Sequence, residues 1–415
     1  MVSKQVKIAS LRRNENNIKN GSQAIIESYI QSKMIRERNS SPSYVRITKS
    51  LLNRLCENHD LKTVTQEDIG QLLNKVRKPE SEDPLHKWIG TYNFYISILK
   101  KFFKWYDAPY CMQGFKELRR KEVSIYKPTD IWTTEDDLLF LKYCPSVRDR
   151  AYHAISRDLS CRPSEILRIR IKDVVFKMAQ DKQYAEILVN GKTGSRHIPL
   201  INSIPYLKDW LDVHPSRNNP NAYLIRSHRT RDKMTSGGLL VIYKRYKNDY
   251  FPKLLETDIP VEDKQLLQEL LQKPWNPYIR RHSALTEKSK ILKEHILRSH
   301  AGWQMSSKMP QKYLHYFGNE SSESLLEAYG LKPKSEDINK LQPIVCPNCA
   351  EPNKIDAKFC FKCRMVLSYS AYLETKEEKE KESMALNSAV ERLTERISQL
   401  EQKLTWANYS GGVSS

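Results

Sequence analysis

Three segments in the first quarter of the chain repeat apolar residues at three- and four-residue intervals, the period of a helix with one buried face. In SYVRITKSLLNRLCENH, after the breaker Ser41-Pro42, Tyr44, Ile47, Leu51, Leu52 and Leu55 share that face. TVTQEDIGQLLNKV opens with Thr65 and Asp68, a cap and an early acid suited to a helix start, before Ile69, Leu72, Leu73 and Val76. HKWIGTYNFYISILKKFFKWY carries Trp88, Tyr92, Tyr95, Ile98, Phe102 and Phe103, with lysines interleaved. These segments predict a small, basic, all-helical domain over 21–110, preceded by a flexible basic arm over 1–20.

The period is lost across 111–132, where Pro128 and the basic run KELRRKE predict a linker. It resumes at TTEDDLLFLKYC, with Thr134 as the expected cap. It changes again in YAEILVNGKTGSRHIPL, where two β-rich runs flank Asn190-Gly191 and Thr193-Gly194, a hairpin signal. Helical patterns then return. The expected class for 133–335 is therefore mainly α with a small β-hairpin or sheet, an α+β domain.

The C-terminal part holds two further units. Cys346-x2-Cys349 and Cys360-x2-Cys363, ten residues apart, form two knuckles that can aim four thiolates at one ion. This predicts a structural Zn²⁺ ribbon over 344–367, a closed site with no open coordination position for catalysis. Cys56, Cys111, Cys144 and Cys161 stand singly and are expected as small buried apolar residues. Over 374–405, Leu386, Val390, Leu393, Ile397, Leu400 and Leu404 alternate four and three residues apart. β-Branched residues at a and leucines at d suit a parallel two-stranded coiled coil; an amphipathic helix docked on its own protein fits the same pattern.

Charge narrows the function. The chain of 415 residues has 69 Lys+Arg against 49 Asp+Glu, a formal net charge of +20, which favours a polyanionic partner such as DNA. The N-terminal stretch lacks the apolar core of a secretory signal, and no apolar run approaches the ~20 residues needed to span a bilayer. The expectation is a cytoplasmic, DNA-associated protein without membrane contact. There is no HExxH and no acidic cluster at Mg²⁺-like spacing, which argues against a metal-dependent nuclease.

Four separated segments supply cations, a phenol and hydrogen-bond donors suited to a phosphate. LSCRPSEILRIRIKDV offers Arg162 and Glu165, and GKTGSRHIPL offers Lys192 at the hairpin tip. NPYIRRHSALT offers Arg280, Arg281 and His282, and GWQMSSKMPQKYLHY offers Trp303 and Tyr313. In this order the segments resemble the tyrosine recombinases, the family of phage integrases and Xer-type resolvases. That pattern runs Arg-x-x-Glu, a hairpin Lys, His-x-x-Arg-His, Gly-His or Gly-Trp, then Tyr. The match places Arg162 and Glu165, Lys192, Arg281 and His282, Trp303 and the nucleophile Tyr313. The stretch from Gly302 is particularly similar to integrases of archaea, several of which also end in a zinc ribbon.

Two positions depart from the pattern. Tyr278 stands where the family usually has His, and the Trp303–Tyr313 interval is one residue longer than the commonest spacing. The first leaves the base open between Tyr278 and His282; the second keeps Tyr316 as an alternative nucleophile. The resemblance implies site-specific cutting and rejoining of duplex DNA through a 3′-phosphotyrosine, without catalytic metal or ATP. It also implies self-association, as a tetramer on synapsed sites. Type IB topoisomerases share the same groups, and a DNA-binding relative lacking strand transfer would keep most of them. A zinc-ribbon transcription adaptor would explain only the tail.

Overall fold

The computed structural model describes residues 21–35, 41–57, 60–119, 126–180, 182–191, 194–307, 309–310, 313 and 340–410, excepting the side chains of 402 and 404–410. The expected basic arm, Lys192 and Tyr316 lie outside the described residues. The chain divides between Ser124 and Ile125 into two compact units.

The first unit is helical: α1 (21–35), α2 (Pro42–Cys56), α3 (Gln66–Asn74) and α4 (Trp88–Trp105), closed by a 3-10 turn at Pro109–Met112. Leu51, Leu52 and Leu55 of α2 meet Ile69, Leu72 and Leu73 of α3 and Phe102 and Phe103 of α4 in one core. α3 begins as its sequence dictates. The Asp68 N–H donates to Thr65 Oγ1 (3.3 Å), and the Thr65 N–H donates back to the Asp68 carboxylate (2.9 Å). On α4 the fully buried stripe includes Ile89, Ile96 and Leu99, while Trp88 and Tyr95 are only partly buried beside it. That helix is apolar over more than one face, so Tyr92, Phe102 and Phe103 are buried with the aliphatic residues while Trp88 and Tyr95 flank them. Cys111 and Met112 also pack into this core.

The second unit starts with α5 (Thr134–Tyr143), capped by Thr133 rather than by the expected Thr134. Thr133 Oγ1 accepts from Asp136 N–H, and the Asp136 carboxylate accepts from Thr133 N–H, a reciprocal pair that the preceding residue alone can form. α6 (Val147–Leu159) is buried along nearly its whole length and is followed by the one-turn α7 (Pro163–Ile166). The sheet is antiparallel in the order β1 (Val174–Ala179), β2 (Lys182–Gly191), β3 (Gly194–Leu200). Ala185, Ile187 and Val189 of β2 and Ile198 and Leu200 of β3 enter the core, whereas β1 is largely exposed. Strand β1 therefore lacks the apolar alternation by which β2 and β3 are recognised.

The remaining helices are α8 (Ile204–Asp212), α9 (Ser236–Arg245), α10 (Phe251–Leu254), α11 (Val261–Gln272), α12 (Pro277–Ile291) and α13 (Glu294–Ala301), with a π turn joining α9 to α10. The core also holds a charged knot. Asp137 is wholly buried against Arg157, Arg280 and His153, so each charge taken from water meets an opposite one.

Short strands β4 (Ile344–Val345) and β5 (Pro352–Asn353) frame the cysteine knuckles. This small lobe sits on α8 through ion pairs Lys208–Glu351 and Lys354–Asp209. α14 (Tyr369–Ser410) follows, and Leu386, Val390, Leu393, Ile397 and Leu400 are at least half exposed on it, not docked on the body. The described residues are mainly helical with a three-stranded antiparallel sheet, the expected class, and a second, two-stranded one formed by β4 and β5. Among the described residues, no helix is long and apolar enough to cross a membrane.

Candidate active site

Tyr313 is buried to 1% exposure in a small cluster with Leu285, Leu297, Ala301 and Trp303. Its hydroxyl lies 3.0 Å from His282 Nδ1. The Trp303 ring stacks on the phenol at 5.4 Å and 27°. With the imidazole proton on Nε2, the phenol donates to Nδ1, the arrangement in which His282 can take the phenolic proton. His282 is itself set by α12. Asn276 caps that helix by accepting from the N–H groups of Tyr278 and Ile279, both at 2.9 Å. Tyr126 donates to the same Asn276 oxygen at 3.2 Å, and its ring meets His282 edge-on at 4.8 Å. Tyr126 lies in the segment expected to be linker, with no periodic pattern to mark it.

α12 separates two adjacent arginines that the sequence alone offers as equals. Arg280 points into the core, pairing with Asp137 beneath the Trp132 ring. Arg281 turns the other way. It donates through Nη1 to the Ser160 carbonyl (2.7 Å) and through Nη2 to the Ala301 carbonyl (2.9 Å), with its guanidinium 5.9 Å from the Trp303 ring. Burial, and then the like charge of Arg162 nearby, lower its pKa, while Tyr313 and Glu165 pull the other way. Two arginines and the nucleophile candidate thus share one electrostatic neighbourhood.

Arg162 stands at the start of α7 with its side chain about one-third exposed. Glu165, one turn on, is buried and binds it twice: Oε1 accepts from Arg162 Nη1 (2.8 Å) and Oε2 from Arg162 N–H (3.2 Å). Burial pushes the Glu165 carboxyl up, but hydrogen bonds from Arg162 and Arg196 outweigh it and leave the pKa lowered. Glu165 is therefore a carboxylate that orients cations.

Arg196, on β3, is a site residue that sequence reading missed. Its Nη2 donates to Glu165 Oε2 and Cys161 Sγ, and its Nε to the His300 carbonyl, each at 3.0 Å. The only sequence signal was its place on the same hairpin as Lys192, where a lone arginine reads as solvated charge. His300 is largely enclosed, with Nε2 shut off from solvent. Burial, with Lys288, Arg196 and Arg281 around it, holds its imidazole down to about 3. Cys161 is buried as expected, and burial pushes its thiol up to about 11.

Tyr278 is half exposed at the first turn of α12, and among the described residues its hydroxyl makes no hydrogen bond. It precedes His282 by one helical turn on α12. Lys192 falls between Gly191 and Gly194, which pair across the hairpin, but lies outside the described residues together with Tyr316 and His315.

The cysteine knuckles form a separate centre. Sγ atoms of Cys346, Cys349, Cys360 and Cys363 all lie within 4.8 Å of one another, with Cys346–Cys363 at 3.5 Å and Cys349–Cys360 at 3.6 Å. Four ligands at a Zn–S length of about 2.3 Å in a tetrahedron require sulfurs about 3.8 Å apart, so the donor set fits zinc. Asn353 supports it, donating to Cys360 Sγ at 3.6 Å and accepting from the Phe361 N–H at 2.8 Å.

No protein-family profile matches the chain, and no curated protein matches it. Among solved structures, XerA recombinase is similar at 16% identity, over 75% of this chain and 98% of that one, with a TM-score of 0.34. XerH site-specific recombinase bound to difH substrate is similar at 17% identity, over 75% and 96%, with a TM-score of 0.45. A lambda integrase tetramer bound to a Holliday junction is similar at 12% identity, over 69% and 78%, with a TM-score of 0.44.

Proposed function

We propose that this chain is a tyrosine site-specific recombinase that cuts and rejoins duplex DNA through a 3′-phosphotyrosine on Tyr313. The observation that carries the reading is the Tyr313 hydroxyl 3.0 Å from His282 Nδ1, in the neighbourhood of Arg281 and Arg162. A phenol of ordinary pKa about 10 needs a proton acceptor or nearby cations to attack phosphorus, and this site offers both.

In the proposed reaction Tyr313 Oη bonds to the scissile phosphorus as its proton passes to His282 Nδ1. Arg162 and Arg281 take the charge that develops on the non-bridging oxygens, where a guanidinium fork binds two acceptors at once. Trp303 packs under the phenol. The bond to the 5′-oxygen breaks, and Lys192 supplies the proton that oxygen needs. Attack by another strand's 5′-hydroxyl reverses each transfer and releases Tyr313, so neither hydrolysis nor ATP is required. Because Tyr313 is buried, DNA engagement must uncover it before attack.

The surplus positive charge and the helical first unit would clamp the duplex through its phosphates, with affinity that falls steeply as salt rises. The four cysteines would hold one structural Zn²⁺, whose binding energy would fold a lobe too small for a core of its own. The exposed stripe of α14 would pair protomers, consistent with a recombinase that assembles on two sites.

The test uses nicked suicide duplexes bearing candidate attachment sequences, with wild type, Tyr313→Phe and Tyr316→Phe run in parallel. A 3′-linked covalent adduct mapped to Tyr313 by mass spectrometry, and missing only in Tyr313→Phe, supports the reading. Tight site-specific binding without an adduct would replace it with a DNA-binding protein that has lost strand transfer.

A further inference from the structure

Arg196 is the one cation of the site to which the proposed reaction gives no task, yet its environment is the most constrained. Its guanidinium is wedged between two glycines. A Cβ on Gly191 would stand 2.9 Å from Arg196 Nη1, and a Cβ on Gly302 would stand 2.6 Å from the same atom. Gly302 also needs its freedom for a φ of +65° at the end of α13. Nη1 is enclosed with no hydrogen-bond acceptor among the described residues. A charged donor left so is unfavourable. The fold holds Arg196 there through its other two nitrogens.

Those two nitrogens join the supports of the two phosphate-facing arginines. Nη2 binds Glu165, the carboxylate that holds Arg162. Nε binds the carbonyl of His300, the residue next to Ala301, whose own carbonyl holds Arg281 Nη2. One rigid fork therefore spans from the base of α7 to the end of α13, and no other described side chain bonds to both supports.

We propose that Arg196 is a positioning residue that fixes the spacing between the Arg162 and Arg281 guanidinium groups, matching them to the two non-bridging oxygens of the scissile phosphate. The inference rests on the recombinase reading. A lysine at 196 could reach one support but not hold both, because an ammonium is a point charge and not a planar fork.

The experiment measures single-turnover adduct formation by the full chain on two nicked duplexes, one with an ordinary scissile phosphodiester and one with a methylphosphonate there. Wild type, Arg196→Gln, Arg196→Lys and Gly191→Ala are compared, with melting temperature measured for each. A misplacement near 1 Å costs on the order of 10²-fold, so Arg196→Gln is expected to lose about that on the phosphodiester, with Arg196→Lys between it and wild type. The methylphosphonate lacks one non-bridging charge, so the spacing of two cations matters less, and the deficit should shrink to within several-fold. Gly191→Ala crowds Arg196 Nη1 and, at 3.1 Å, Glu165 Oε1, so it presses on the Arg196–Glu165 link without removing either side chain; it should show the same linkage-dependent deficit, which covers the case in which Arg196→Gln does not fold. Equal deficits on both linkages, or losses that track the melting temperature, overturn the proposal. Wild type inactive on the phosphodiester overturns the recombinase reading itself, and this inference with it.

Discussion

The Tyr313 hydroxyl and His282 Nδ1 are 3.0 Å apart, and the two rings lie 24° from coplanar with centroids 5.5 Å apart. Stacking fixes the phenol's direction, and the hydrogen bond makes Nδ1 the imidazole nitrogen that takes the phenolic proton in the proposed reaction. Tyr278, the residue at the position where the resembled pattern has a base, is half exposed one turn before His282 on α12, and among the described residues its hydroxyl makes no hydrogen bond. His282→Asn keeps a polar atom near Nδ1 but removes the proton acceptor. Adduct formation under single turnover is expected to fall by about 10²-fold or more, with DNA affinity unchanged in gel shifts. A rate equal to wild type would assign the proton to another group.

Zinc has a separate readout. Purified protein is expected to carry one equivalent by elemental analysis, and Cys360→Ser to carry much less, because three thiolates leave the tetrahedron open. Loss of the ion should also loosen the Lys208–Glu351 and Lys354–Asp209 contacts, seen as faster hydrogen exchange in 344–367. Adduct formation in chelator should persist, since the proposed phosphate chemistry uses arginines. Full zinc content in Cys360→Ser would remove Cys360 from the ligand set.

Much of this site was legible in the chain because its chemistry is carried by residue types at short, ordered spacings: Arg162 with Glu165, Arg281 with His282, and a tyrosine after Gly302-Trp303. The helices of the first unit were legible for a different reason, since Leu51, Leu55, Ile69 and Leu73 each declare a buried face by period. What stayed hidden depends on contacts distant in sequence. Arg196 meets Glu165 across 31 positions and the His300 carbonyl across 104, and nothing local separates it from a solvated arginine. Arg280 and Arg281 are chemically alike in sequence; only the turn of α12 sends one to Asp137 and the other to the Ser160 and Ala301 carbonyls. Strand β1 escaped notice because pairing with β2, not burial, makes it a strand.

The buried charge knot makes stability pH-dependent with a definite sign. Burial first, then Arg280 and Arg157, hold the His153 imidazole down to about 3, although Asp137 pulls it upward. In the unfolded chain the same ring takes up a proton near pH 6.5. As pH falls from about 6.5 the unfolded state gains a proton that the folded state refuses, so stability is lost on acidification. Burial raises the Asp137 pKa, but Arg280 and Arg157 outweigh that and lower it, so Asp137 adds to the same loss below about pH 4. The melting temperature should therefore decline between pH 7 and 5, before most carboxylates titrate. His153→Gln is expected to melt lower at pH 7 but with a shallower decline. An unchanged slope would show that this imidazole is not the group responsible.

On α14, placing Val390 and Ile397 at a puts Leu386, Leu393 and Leu400 at d, Arg396 at g and Glu401 at the following e position. In a parallel pair each Arg396 faces the partner's Glu401, an attractive contact, and the exposed stripe is covered along its length. Burying each such side chain contributes roughly 1.5–3 kcal/mol, enough over several positions to hold two protomers at micromolar concentration. Ile397→Glu should convert the full chain from dimer to monomer by light scattering while leaving suicide-substrate adducts intact. Orientation is read separately with Val390→Cys. Two a-position cysteines at the same level form an intermolecular disulfide only in a parallel register, and mass spectrometry distinguishes that bond from any made by the native cysteines. A wild type that is monomeric at tens of micromolar, or a mass unchanged by Ile397→Glu, would rule out this pairing.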